Sequence, residues 1–132
     1  MKFHLQAPTS NVVTGSGPGW VRVGQTEYRR NVILLPDAVI EGWAPNGFAA
    51  LTEPDFAALL AHAPETILLG TGARQQFPHP RLLQALSAAH VGVEVMDTRA
   101  ACRTFNILVA EDRRVAAALI VAGPTLAARL KV

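Results

Sequence analysis

Residues 93–106 read VEVMDTRAACRTFN and are the least generic run of this 132-residue chain. Their first four residues have the alternation of a strand, and Asp97 followed by Thr98 is typical of the cap that begins a helix. Upstream, residues 67–69 are a continuous apolar run of the kind that lies buried on both faces of a parallel sheet. Because helical spacing fills residues 80–90, between the two runs, the sequence predicts a β-α-β unit.

The preceding part of the chain, residues 11–43, consists of short apolar runs separated by glycine, proline, Asn or Asp, which predicts a meander of short antiparallel strands. Within it, the glycine-rich residues 15–19 are interpreted as a hairpin turn. A phosphate-binding loop is disfavoured because no lysine and no helix follow, and Pro18 lacks an N–H donor. Thr52 is predicted to cap a helix that runs to about His62.

Composition bounds the function. Twelve Lys and Arg against ten Asp and Glu give a net charge of +2, and only 17% of the residues are charged, so a nucleic-acid partner is not expected. Cys102 is the single cysteine, which excludes an internal disulfide and favours a reducing compartment. The N-terminus resembles neither a signal nor a transit peptide, and no apolar run approaches the roughly 20 residues of a transmembrane helix. We expect a cytoplasmic protein.

Domain organisation follows from length. At 132 residues, one domain spanning 1–132 is expected, with residues 1–10 and 122–132 as flexible termini and a short helix or turn within 124–131.

A candidate site lies where strands of the predicted sheet end. Gly70, Thr71, Gly72 and Arg74 follow one strand and Asp97 follows the next, and ligands gather at this edge in open α/β sheets. The dinucleotide fingerprint is incomplete, since Gln75 occupies its third glycine position and no helix opens there. We therefore predict no nicotinamide or flavin cofactor.

The helix predicted for residues 99–110 adds polar residues near this edge. Arg99, Arg103 and Asn106 share one stripe, whereas Cys102 lies on the apolar stripe and is interpreted as a core residue. Arg103 is either a hook for an anion or a solvated surface residue. The four histidines are scattered over different elements, and neither a catalytic triad nor a metal-spaced pair is present, which disfavours an enzyme and predicts no metal site.

The combination of the glycine turn, Met96-Asp97-Thr98 and residues 102–106, CRTFN, resembles an uncharacterised-domain family. This family includes the mitochondrial respiratory complex I assembly factor 3 and its bacterial and archaeal relatives. The resemblance implies a three-layer α/β domain with a mixed central sheet, strands packed on one side and flanking helices. It also implies protein partners at the inner membrane, a respiratory complex among them. Phe105 stands where the family usually has tyrosine, so a role that needs a phenol hydroxyl is in doubt.

Two functions remain open. One is a non-catalytic binding or assembly module whose surface includes Arg99, Arg103, Asn106 and the residue 70–74 turn, with exposed apolar neighbours such as Phe77. The other is a small enzyme or binder of an anionic small molecule. It would use backbone donors of residues 70–72, the guanidinium of Arg103, and Asp97 as acid or base.

Overall fold

The computed structural model describes residues 10–122. The predicted flexible termini, 1–10 and 122–132, lie almost wholly outside this range, as does the predicted helix or turn within residues 124–131.

Eight strands in residues 10–122 form two sheets. They are β1 (Val13–Gly17), β2 (Trp20–Val23), β3 (Thr26–Tyr28), β4 (Val32–Leu35), β5 (Ala38–Glu41), β6 (Thr66–Gly70), β7 (Gly92–Met96) and β8 (Val115–Leu119). The first three pair antiparallel in a three-stranded sheet, and the other five form a sheet of order β5-β4-β8-β6-β7. β6 runs parallel to β7 and β8, while β4 runs antiparallel to β5 and β8. The predicted mixed central sheet and its parallel β6–β7 pair are confirmed.

The predicted N-terminal meander is confirmed for β1–β3 but ends there. The sequence prediction continued it to residue 43, whereas β4 and β5 belong to the central sheet. Asn31 lies between β3 and β4, where the chain passes from one sheet to the other, and the residue is 5% exposed. Its side chain accepts hydrogen bonds from the N–H groups of Val121 and Ala122 and donates to the Ala44 carbonyl. The predicted hairpin is present between β1 and β2, but its turn is confined to residues 18–19, because residues 15–17 belong to β1 and Gly17 lies opposite Trp20.

The helices of the described part of the chain are short except for one. They are α1 (Glu53–Ala57), α2 (Gln84–Ala88) and α3 (Thr98–Ala110), with 3-10 segments at Phe48–Ala50, Ala58–His62 and Pro80–Leu83. Thr52 caps α1 as predicted. In return, the Thr52 N–H donates a hydrogen bond to the Asp55 carboxylate at 2.9 Å. The helix predicted to reach His62 tightens to 3-10 geometry after Ala57, and Ala63 ends it with a φ of 51°.

The central sheet separates two apolar cores. Along β6, Leu68 contributes to the core shared with α3 and the three-stranded sheet, whereas Ile67 and Leu69 contribute to the core shared with α1 and α2. Each β6 residue from Ile67 to Gly70 is buried because both faces of the strand are covered. The molecule therefore has the three-layer α/β architecture that the family resemblance implied, with the three-stranded sheet and α3 in one outer layer.

Candidate functional site

The turn after β6 lies at the predicted edge of the sheet, but its donors are already engaged. The Thr71 N–H donates to the Met96 carbonyl at 2.9 Å. The Gly72 N–H donates to the Thr98 hydroxyl oxygen at 2.8 Å, and that hydroxyl donates to the Ile120 carbonyl at 2.7 Å. This arrangement corrects the proposal of an anion cradle, because the N–H groups of Thr71 and Gly72 already bind oxygens of the protein.

The side chain of Thr71 closes the turn from inside. It is 1% exposed, its hydroxyl donates to the Arg74 carbonyl at 2.7 Å, and its oxygen accepts from the Gln76 N–H at 3.0 Å. The Arg74 side chain is exposed and makes no ion pair within residues 10–122. The turn is thus held by its own hydrogen bonds, and Arg74 is the charged side chain that it presents to solvent.

Gly70 is explained by packing. A Cβ atom there would lie 2.9 Å from a methyl carbon of Leu119 and 3.0 Å from Cα of Thr98. The start of α3 therefore approaches the end of β6 more closely than a side chain at residue 70 would allow.

Asp97 acts as the helix cap that the sequence suggested. Its Oδ1 accepts a hydrogen bond from the Ala100 N–H at 2.8 Å, in the first turn of α3. A role of Asp97 as the acid or base of a reaction stays a prediction.

Arg99, Arg103 and Asn106 lie at a different place, along an open groove between α3 and β1. The groove encloses a cavity of about 190 Å³. Its lining consists of four residues from each element: Val13, Thr14, Gly15, Ser16, Arg99, Cys102, Arg103 and Asn106. The structure thus divides the predicted site residues into two groups, since none of Gly70, Thr71, Gly72, Arg74 and Asp97 lines this cavity.

Asn106 has a structural role that the sequence prediction did not assign to it. Its Oδ1 accepts from the Val13 N–H at 2.8 Å, and its Nδ2 donates to the Val13 carbonyl at 2.9 Å. The amide thereby pairs with the outer edge of β1 as a neighbouring strand would. Asn106 thus fixes β1 against α3, and its predicted binding role stays a prediction.

The two arginines of the groove remain available. Arg99 and Arg103 lie one helical turn apart on α3 and are both exposed. In the described part of the chain neither side chain makes a hydrogen bond or an ion pair, and the cavity lining contains no carboxylate. The groove is therefore a positively charged surface.

Cys102 lies beneath these arginines and is unsuited to nucleophilic chemistry. Its side chain is 3% exposed, in agreement with its prediction as a core residue. Burial raises the pKa of the thiol to about 11, against an opposing effect of Arg103 and with a further small increase from Asp97. Since the thiolate is the reactive form, Cys102 is a poor nucleophile near neutral pH.

Sequence reasoning missed the β1 side of the groove. Residues 15–19 were assigned to a turn, but Gly15 and Gly17 belong to β1 and pack under Trp20 and Arg22, whose side chains cross the strand. A Cβ at Gly17 would lie 2.5 Å from the Trp20 indole nitrogen. The signal was available, because Trp20 and Arg22 alternate with Val21 and Val23 and so must lie on the opposite face.

Comparisons with known proteins assign the chain to a family. Residues 13–120 match the family described as "Protein of unknown function (DUF498/DUF598)". The chain belongs to this family. Among relatives, a mouse protein named "NADH dehydrogenase [ubiquinone] 1 alpha subcomplex assembly factor 3" is 39% identical over 90 residues, 67% of this chain and 48% of that protein. The predicted family resemblance is confirmed.

Bacterial relatives match over more of their length. A Francisella tularensis protein named "13 kDa major membrane protein" is 32% identical over 95 residues, 71% of this chain and 77% of that protein. A crystal structure of a Bordetella parapertussis protein has a TM-score of 0.78 and 40% identity, and covers 87% of this chain and 98% of that one. By contrast, the chain spans about half the length of its mouse and bovine relatives.

Two further observations concern residues 10–122 alone. No helix there is both long and apolar enough to cross a bilayer. Nor do three or more His, Cys, Asp or Glu side chains of this range gather as a metal site would require.

Proposed function

We propose that this chain is a non-catalytic protein-binding module that assists the assembly of a respiratory membrane complex. The observation that carries the proposal is the 39% identity to a protein named as an assembly factor of NADH dehydrogenase. The proposed place of action is the cytoplasmic side of the inner membrane. A relative named as a membrane protein supports a place of action at a membrane.

The partner surface in this proposal is the groove between α3 and β1. Arg99 and Arg103 are exposed there without an intramolecular carboxylate among the described residues. Arginine is enriched at protein interfaces because its planar guanidinium forms several directed hydrogen bonds at once. The turn at Gly70–Arg74 contributes less to the proposed surface, since the N–H groups of Thr71 and Gly72 are already bonded within the protein.

The test is capture of partners from the source cells after gentle solubilisation of the membranes, followed by mass spectrometry. We compare the tagged wild type with Arg103→Glu and with Arg81→Glu, a matched reversal at another exposed arginine. Subunits of a respiratory complex should accompany wild type and Arg81→Glu and be lost with Arg103→Glu. Capture of no respiratory subunit by wild type would contradict the assembly role, and equal capture by Arg103→Glu would contradict the placement of the surface.

A second candidate, binding of a small anion, is favoured by one observation. The 190 Å³ cavity has two arginines and no carboxylate in its lining. The proposed site then moves from the Gly70–Arg74 turn to Arg99 and Arg103. Titration of the labelled protein with inorganic phosphate and with citrate, followed by amide chemical shifts, tests it. Saturable shifts at residues 99–106 would support an anion site, and unchanged spectra at millimolar concentrations would exclude both probes as ligands.

A further inference from the structure

The strand β1 is an edge strand that is only partly covered. It lies at one end of the three-stranded sheet, so the side turned away from β2 has no strand partner in the described chain. Edge strands present N–H and C=O groups that can pair with another chain, and proteins usually cover them. Asn106 covers the first residue, Val13, through both of its backbone groups. Beyond Val13, the Arg22 guanidinium donates to the Thr14 carbonyl at 3.2 Å, and no side chain within residues 10–122 bonds to the backbone of residues 15–17.

We propose that β1 receives an extended acidic segment of a partner protein as an added strand, with carboxylates of that segment bound to Arg99 and Arg103. The inference rests on the proposed protein-binding function and specifies the chemistry of the partner. Addition of a peptide to a sheet edge combines main-chain hydrogen bonds, which supply affinity, with side-chain contacts at alternate residues, which supply specificity.

The groove gives such a segment both kinds of contact. Val13–Ser16 form one wall and the α3 residues from Arg99 to Asn106 form the other. Val13 is fixed opposite Asn106, and the cavity continues past Arg103 to Arg99, so β1 and α3 run alongside one another. A strand laid against β1 therefore passes beneath both guanidiniums.

The spacing of the arginines selects the pattern of the segment. Residues four apart in a helix are separated by about 6 Å along its axis. Alternate residues of a strand are separated by about 6.6 Å and point to the same face. Arg99 and Arg103 thus match two acidic residues that flank one other residue. Since no carboxylate lines the cavity, an acidic segment gains attraction there without displacing an internal ion pair.

A small anion would use only part of this arrangement. It could contact the guanidiniums but would leave the backbone edge of β1 unpaired. An extended acidic segment, which can pair with β1 and also bind both arginines, is therefore the occupant that fits the groove best.

The experiment uses the full chain, isotopically labelled, and a short synthetic peptide of alternating valine and glutamate with blocked ends. The peptide should shift amide signals of Val13–Gly17 and Arg99–Asn106 and bind more weakly as salt is added. Arg99→Gln and Arg103→Gln should each weaken binding about tenfold, the loss expected for one charge-assisted contact. Arg81→Gln, also exposed, should bind as wild type does.

Two matched peptides separate strand addition from simple charge attraction. A peptide with lysine in place of glutamate should not bind. A glutamate peptide that is N-methylated at alternate amides cannot donate hydrogen bonds along the edge, and it should lose binding although its charge is kept. Equal binding of the methylated peptide, or equal shifts with free citrate at the same affinity, would overturn strand addition in favour of a small-anion site. Absence of binding by the unmodified peptide would overturn it outright.

Peptide binding and capture of respiratory subunits test the two proposals independently. If respiratory subunits are captured but the peptide does not bind, strand addition is overturned and the assembly role stands. If the peptide binds as described but no respiratory subunit is captured, the assembly role is overturned and the acidic-segment site stands.

Discussion

The two ends of the predicted site, both adjoining α3, differ in how their polar groups are used. At the junction of Gly70, Thr71, Gly72 and Thr98, the polar groups bind one another and carbonyls of neighbouring strands. In the β1–α3 groove, Arg99 and Arg103 have no partner in the described chain. A buried polar group must be satisfied internally, whereas an exposed charge is satisfied by water until a partner replaces it. The junction is therefore structural, and the groove is the surface that we propose for binding.

This comparison predicts that mutations in the two regions separate stability from binding. Changes at the junction should lower the free energy of unfolding with effects on binding only through misfolding. Changes at the groove arginines should weaken binding and leave the free energy of unfolding unchanged. Four experiments, in order of decreasing effect on stability, test this separation.

The largest loss of stability is expected for Thr98→Val. The substitution keeps the shape of the side chain but leaves the Gly72 N–H and the Ile120 carbonyl without their partner. Each buried unsatisfied group costs about 1–3 kcal/mol, so for two groups we expect a total loss of about 2–6 kcal/mol in the free energy of unfolding by urea denaturation. Thr104→Val is the matched control, because the Thr104 hydroxyl bonds only to the Ala100 carbonyl and the Met96 sulfur. Equal stability of the two variants would contradict the structural role of the junction.

Cys102 tests how far the groove is open to water. Burial holds the pKa of its thiol at about 11, above the 9.0 of an unperturbed thiol. The unfolded chain thus loses the proton first as pH rises. The stabilising contribution is complete below pH ~9 and disappears as pH approaches 11, with a loss of about 1–2 kcal/mol between pH 8 and pH 10.

The measurement is the free energy of unfolding of wild type and Cys102→Ala across this pH range. The wild-type value should fall more steeply than that of Cys102→Ala, which lacks the thiol. Parallel pH profiles would show that water reaches the sulfur and that the groove extends deeper than the structure indicates.

Asn106 lines the groove but also bonds to the backbone of β1, so its substitution should affect stability. Asn106→Ala removes both hydrogen bonds to Val13 at a half-buried site, and we expect a loss of about 1–2 kcal/mol. The effect should be local: hydrogen exchange should accelerate most at the Val13 amide, while β6 keeps its protection. Asn106→Asp should also be destabilised, because a carboxylate oxygen would then face the Val13 carbonyl. Unchanged exchange at Val13 in both variants would show that the amide does not hold β1.

Much of the fold was predictable because periodicity reports burial directly. The apolar run at residues 67–69 and the alternation at residues 93–96 gave parallel β6 and β7, and Asp97 gave the start of α3. The placement of β4 was not predicted, although its four buried residues in a row, Val32–Leu35, are typical of an interior strand. What ends the meander is a tertiary contact, the hydrogen bonds from Val121 and Ala122 to Asn31, and no local pattern encodes it.

The polar stripe on α3 was predictable from sequence, but which part of the molecule lies beside it was not. Helical spacing placed Arg99, Arg103 and Asn106 on one stripe, and the cavity lining bears this out. Sequence could not show that the stripe faces β1 instead of the glycine turn, because the contact joins residues about 90 positions apart. Likewise, Thr71 and Gly72 look like ligand donors in sequence, and only the fold reveals Met96 and Thr98 as their partners.

The smallest effect on stability is expected for the double variant Arg99→Gln, Arg103→Gln. Neither side chain has a partner in the described chain, so the midpoint of urea denaturation should equal that of wild type within error. A slight increase would be consistent with relief of repulsion between two like charges one turn apart. The same variant should lose capture of respiratory subunits and binding of the valine–glutamate peptide. A marked loss of stability would instead place the arginines among the structural residues, and the contrast between junction and groove would no longer identify the binding surface.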